Sequence, residues 1–528
     1  VAGPPKLIRA ALLAIGGTLA LAAAGGCGGD DEPASAASLA PPDAPFFVEG
    51  TIRPDGDRAE AIVELSSKVA GVDDLDREIV ELIDEGLASE GGEQTFAEDV
   101  EPWLGEEGAI FVRSLERSAF VGGMADAAYI AEVTDVEAAQ AFVDAIPDEV
   151  ANAPFDERSY DEVDYLGYDG NAIGLVGDFL VAGTEASFKA AVDATTGEAL
   201  ADTDEFADTV GDLDDSAIAE MWLDLGTLLD AAAESSDADG AEIDAVRAAL
   251  GPLLEEPVAM ALEATPDTVT LDISAAAGAT LLGDTELLEG LPGRAWVAVA
   301  TGDAGETVQR AFSSIGSLGA ELGDPRLDPE AIGDALRART GLDLEADILP
   351  WVGDAAFYFA GTDEASVETG AVVETSDEEA SVQTVAAARA AVESAAGREA
   401  GPPRLEDADD GFSLVAPTGQ GFEVAVRDDV VVAALGGSSP GADTLEPDET
   451  LGDSERFSNA VDALGGDHEA AAFLALQDAL VVAERGDTDG SPDYDAIRPY
   501  TQALDYLMLG TATDDDRNLW RVVLGVAE

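Results

Sequence analysis

The chain has 528 residues, 46% of them hydrophobic, and carries 111 acidic against 25 basic side chains for a formal charge of -86. That balance excludes nucleic acid and anionic lipid headgroups as partners, because both are held largely through Lys and Arg contacts to phosphate. It does not imply disorder: a mean hydropathy of +0.06 with recurrent Val, Leu, Ile and Phe supplies the apolar surface that disordered chains lack.

Lys6 and Arg9, the uncharged apolar run from Ala10 to Ala24 and the small residues Ala24-Gly25-Gly26 lay out a secretory signal over residues 1–26. The run is shorter than the roughly 20 residues of a membrane-spanning helix and is broken by Gly16-Gly17. Cys27, the only cysteine, follows directly. This order resembles bacterial lipoprotein signals, in which the thiol receives a diacylglycerol, although Ala24 stands where such signals usually carry leucine. A plain secretory signal also explains the run but leaves a free thiol outside the cell. The expectation is lipid attachment at Cys27, on the outer face of the cytoplasmic membrane. Residues 27–43, rich in Gly, Ala, Ser, Asp and Pro, read as a flexible acidic tether.

Beyond the tether the pattern predicts mixed strands and helices. Phe46 to Ile52 reads as a strand, and Ile62, Leu65 and Val69, then Ile79, Leu82, Ile83 and Leu87, mark amphipathic helices. A strand from Ala127 to Val133 precedes a helix from Val136 to Ile146. Strands cluster from Tyr160 to Ala182, with Gly167, Asp169-Gly170 and Gly177-Asp178 as turn signals. Runs of neighbouring strands interrupted by helices predict an α+β fold built on a mostly antiparallel sheet with packed helices.

The pattern then repeats. Asp99 to Gly105, around Pro102-Trp103, recurs as Asp347 to Gly353, around Pro350-Trp351. Phe206, Val210 and Leu213 answer to Phe457, Val461 and Leu464, Trp222 to Phe473, and Val269, Leu271 and Ile273 to Trp520, Val522 and Leu524. The offset is nearly constant across both element types, so two homologous tandem domains are expected, at 44–280 and 290–528. These units are far longer than solenoid repeats.

Pro42 to Glu49, the two Pro-Trp-(Leu/Val)-Gly motifs and Leu291 to Ala300 together resemble the bacterial domain-of-unknown-function family numbered 3352. The resemblance covers nearly all of the chain beyond the signal and implies a lipoprotein of high-GC Gram-positive bacteria. It transfers no catalytic residues.

The search for chemistry is mostly negative. One histidine, His468, and one cysteine exclude the usual zinc sites, and no cofactor is implied. Gly437-Ser438-Ser439-Pro440-Gly441 satisfies a nucleophile-elbow pattern ahead of His468, but Pro440 stands where a helix should start, so the stretch reads as a loop. Asp237-Ala238-Asp239-Gly240 and Asp487-Thr488-Asp489-Gly490 place oxygen ligands at alternate positions, yet their glycine comes too early for an EF-hand and no closing glutamate follows. A turn leading into a helix explains them. Trp103 and Trp351 could line an apolar ligand site, but Pro-Trp-x-Gly reads as a turn whose ring plugs the core. The acidity itself reads as a solvated surface suited to a salty medium, or as a binding surface for cations or a basic partner.

The sequence thus predicts a non-catalytic envelope interaction or scaffold module, attached to the membrane through its lipid and engaging an unknown envelope protein. A carrier or sensor for an apolar or cationic small ligand is the alternative, and a hydrolase the third reading.

Overall fold

The structure is a computed structural model. It describes residues 35–527 apart from 72–74, 89–93, 115–125, 150–154, 236–242, 277–282, 310–328, 363–365, 397–403 and 487–499, with shorter breaks at 212, 214–216, 244–245, 248–249, 409–410, 418, 438 and 515–516. Backbone contacts divide the chain into two compact units near Ala276. Helices and antiparallel strands share each unit, which is the α+β class expected from the pattern.

The first unit has strands β1 (Phe46–Thr51), β2 (Leu104–Ser114), β3 (Asp126–Val133), β4 (Asp156–Tyr160), β5 (Val163–Tyr168), β6 (Asn171–Val176), β7 (Phe179–Thr184), β8 (Ala219–Leu223), β9 (Val258–Ala264) and β10 (Thr268–Ala276). They pair antiparallel in the order β4-β5-β6-β7-β3-β2-β1-β8-β9-β10. Tight turns set the β4 to β7 meander: Asp161 and Glu162, then Asp169 and Gly170, all take positive φ, as two-residue hairpin loops require. Gly167, expected at a turn, lies instead within β5, where a side chain would collide with the Arg158 guanidinium.

The second unit has strands β11 (Ala295–Thr301), β12 (Val352–Ala360), β13 (Glu368–Thr375), β14 (Arg404–Ala408), β15 (Gly411–Val415), β16 (Gly421–Arg427), β17 (Val430–Gly436), β18 (Glu469–Ala475), β19 (Leu504–Asp514) and β20 (Arg517–Val526). Their order is β14-β15-β16-β17-β13-β12-β11-β18-β19-β20, again antiparallel throughout.

Period-2 alternation gives each sheet two packed faces. In the first unit Phe47, Phe111 and Trp222 line one face, under the short helix Ala36–Leu39 and Phe188 of helix Glu185–Ala194. The other face carries Trp103, Ile173 and Leu180 against Phe142, Val143 and Ile146 of helix Val136–Glu149. In the second unit Ala298, Tyr358 and Phe473 meet Phe457 and Leu464 of helix Glu455–Leu464. Trp351, Val426 and Val431 meet Val385 of helix Glu378–Ala396 on the opposite face.

The reading of 27–43 as one flexible tether is corrected at its far end. Ser35 caps a 3-10 turn whose Ala36 and Leu39 are 0% and 4% exposed, and the Leu200 amide donates to the Ala40 carbonyl at 2.9 Å. Alanine and serine suggest a linker by composition. Small side chains also allow a chain to lie close against an apolar sheet, and here Leu39 completes that contact.

Candidate functional site

The two Pro-Trp motifs have the same local construction. Thr95 and Asp343 each accept a hydrogen bond from an amide three residues on, at 3.4 and 2.9 Å. The carboxylates of Asp99 and Asp347 each accept the amide of that capping residue at 2.8 Å, closing a reciprocal cap. The indole N–H groups of Trp103 and Trp351 donate back to the carbonyls of Asp99 and Asp347 at 2.7 and 2.9 Å. Both rings are buried, so they are structural plugs that hold the start of β2 and β12 and line no open ligand site.

The glycine that ends the first motif has a further use. A side chain at Gly105 would meet the Glu132 carboxylate at 2.5 Å. Without one, Glu132 reaches over β2 and accepts the amides of Glu106 and Glu107 at 2.9 and 3.2 Å. Glu132 opens a carboxylate corner on the sheet. Glu49 and Glu220 face each other across β1 and β8, and Ser35 donates to Glu49 at 3.4 Å. Burial, then the charges of Glu220 and Glu107, push the Glu49 carboxyl from its ordinary 4.5 up to about 8. Burial, then Glu132 and Glu106, raise Glu107.

The second unit has a corner of the same kind, a constellation the sequence reading did not expect. Asp284 caps helix Thr285–Glu289 through the Leu287 amide at 2.9 Å, and Thr285 donates to Glu469 at 2.8 Å. Burial raises both Asp284 and Glu374, and Asp354 raises each further. Glu132 and Glu374 precede residues whose amides bond the following hairpin alike, Val133 to the Asp178 carbonyl and Thr375 to that of Asp429, both at 2.8 Å. Among the described residues no group of three or more His, Cys, Asp or Glu is placed to hold a metal ion.

Cys27 and both Asp-x-Asp-Gly stretches lie outside the described residues. The expectation that Pro440 blocks a helix is corrected: helix Pro440–Leu445 starts there, because proline is well tolerated at the first helical position. Ser439 precedes it without capping it through its side chain, and His468 follows the turn that ends helix Glu455–Leu464.

A surface feature also emerges from strand register. On the face of the second sheet that helix Glu378–Ala396 packs on, Leu405, Leu414, Phe422, Leu435, Thr369, Phe359, Val297, Leu474, Leu507 and Leu524 stand opposite one another in succession, one from each strand, with Leu405 packed against the cluster under that helix. Nine of the ten are apolar and none is buried. Phe359 is 40% exposed and Phe357, two residues back on the same face, 37%. The Trp296 ring stacks on Phe359. In the first unit the matching row passes through Thr184 and Asn171, and Asn171 is buried.

No curated protein matches the chain. One solved structure, described as "Structure of crystal form I of TP0453", aligns over 47% of this chain and 81% of that one, at 8% identity and a TM-score of 0.24. A likeness that weak carries no argument. No helix among the described residues is long and apolar enough to cross a membrane. Residues 7–488 match the family described as protein of unknown function (DUF3352), and the chain belongs to that family.

Proposed function

We propose that the protein is a non-catalytic interaction module of the cell envelope, made of two homologous domains, lipid-anchored through Cys27 after removal of residues 1–26 and engaging a partner through exposed apolar side chains of its second sheet. The observation that carries this is the apolar row through Phe359, Leu435 and Phe422. Phe357, Phe359, Phe422 and Leu435 are the exposed apolar side chains of this stretch, and such a group on an otherwise acidic chain marks a contact surface. The identical strand order of the two units supports the duplication. Extracytoplasmic location rests on the signal layout before Cys27.

Native mass spectrometry of the full-length chain, extracted gently from its own membrane, tests the reading beside a soluble form beginning after Cys27. A bound polypeptide, lost in a Phe357→Ser/Phe359→Ser variant, is the expected result, together with acyl mass on the full-length form. A small molecule retained on both forms would replace it with the carrier reading.

A further inference from the structure

We infer that residues 35–40 form a pH latch: this strap lies closed over the Glu49 corner of the first sheet while Glu49 holds a proton, and opens when the proton leaves. Strand register puts the acids involved on one face. Glu49 of β1 stands directly opposite Glu220 of β8, and Thr51, two residues on and so on the same face, stands opposite Glu107 of β2. That face also carries Phe47 and Phe111, which the strap covers. Helix Ala36–Leu39 packs against β1, β2 and β3 alike, and the Ser35 hydroxyl at its start donates to the Glu49 carboxyl at 3.4 Å. The strap and the acids therefore share one stretch of sheet.

Among the described residues, the groups facing Glu49 are acidic or uncharged. Glu220 and Glu107 flank it, and Glu132 of β3 lies beyond Glu107 and accepts its amide. Asp272 of β10, itself buried, continues the line past Glu220 through Ala261 of β9. The strap helix carries no charged residue, and Arg53, the next base along the chain from β1, pairs with Glu101. Carboxylates opposed on neighbouring strands sit about 5 Å apart at Cβ, where like charges repel. A proton on Glu49 removes one of them. Once it leaves, a carboxylate lies beneath an apolar cover beside Glu220 and Glu107, and water reaches it when the cover lifts. The Ser35 hydroxyl favours the ionised form, but burial and the two acids outweigh it.

The strap is the element placed to give way. Ala36, Ala37, Leu39 and Ala40 hold it to the core, with the Leu200 amide bonded to the Ala40 carbonyl at 2.9 Å, whereas β1 is paired along both edges by β2 and β8. Short terminal segments open locally at far less cost than central strands. Opening hydrates Glu49 and leaves the sheet intact. With the attachment proposed at Cys27, release of residues 35–45 also lengthens the tether by up to about 35 Å. The latch itself does not depend on that attachment.

The test follows hydrogen exchange in the soluble chain beginning after Cys27, at the Ser38 and Ala40 amides of the strap and at the Leu200 amide that bonds to it. Glu49→Gln is measured beside the parent at each pH, so that intrinsic exchange cancels. The closed state keeps the proton up to about 8, and the open, hydrated state releases it nearer the ordinary 4.5. Opening in the parent should therefore rise by up to about tenfold per pH unit on the approach to about pH 8 and level off above it, while Glu49→Gln stays flat. Glu220→Gln, which removes one like charge, should move the level-off to lower pH, and it carries the test if circular dichroism shows Glu49→Gln unfolded. The same pH response in parent and Glu49→Gln, or a level-off that Glu220→Gln does not move, would overturn the latch. Amides of β6 and β7 opening in step with the strap would also overturn it, because Glu49 would then govern the whole unit.

Discussion

The indole of Trp103 does two things that different substitutions separate. It fills the core beside Phe142, at a ring distance of 5.3 Å, and it ties β2 back to Asp99 through its N–H. Trp103→Ala should cost about 3–5 kcal/mol, whereas Trp103→Phe keeps most of the apolar contact and should cost about 1 kcal/mol for the lost hydrogen bond. Urea unfolding of both variants separates the terms; equal losses would mean that the ring's volume contributes little. Glu49 sets a different kind of expectation. Its folded-state value near 8 lies above its ordinary 4.5, so between those values the folded chain keeps a proton that the unfolded chain has released. Stability should therefore fall as pH rises through that window and level off above it. Glu49→Gln should raise the melting temperature at about pH 9 and leave it unchanged at about pH 4. A variant whose melting temperature tracks the parent at both ends would show that the corner relaxes on ionisation.

Among the elements, the short helix Ala36–Leu39 makes a contact out of proportion to its length. It covers Phe47 and Phe111 while the Ala40 carbonyl receives the Leu200 amide. A chain beginning at Asp43 should therefore unfold at lower denaturant than one beginning at Ser35, by about 2–4 kcal/mol, since it bares apolar surface and leaves one amide unpaired. Comparison of the two urea midpoints checks this. The sequence foretold much at this scale. Alternation located β1 and β3, and the period of Phe457, Val461 and Leu464 located helix Glu455–Leu464, because those patterns are local. Ala36–Leu39 escapes the sequence reading because three small residues and one leucine have no period to read. The apolar row was missed for another reason. Its members come from ten separate strands, and only the pairing register places Leu405 and Leu524 on one line. The carboxylate corners were hidden by abundance, since 111 acidic residues give no contrast against which Glu49 or Asp354 could stand out.

For the whole molecule, charge is the dominant long-range force. A chain at -86 repels itself when compact, and salt screens that repulsion over a Debye length of about 10 Å at 0.1 M and about 3 Å at 1 M. The melting temperature should climb steadily as sodium chloride is raised across that range, with potassium chloride giving the same curve. A curve that saturates at low salt with one cation only would indicate a discrete ion site instead. The packing of Ser35 and Ala36 carries a geometric consequence for the proposed attachment at Cys27. From Cys27 to Ala36 the backbone can span at most about 30 Å. Were Cys27 acylated as proposed, that reach would cap how far the Ser35 end of the first unit could stand from the bilayer, a limit that moving the cysteine along the sequence would shift in proportion.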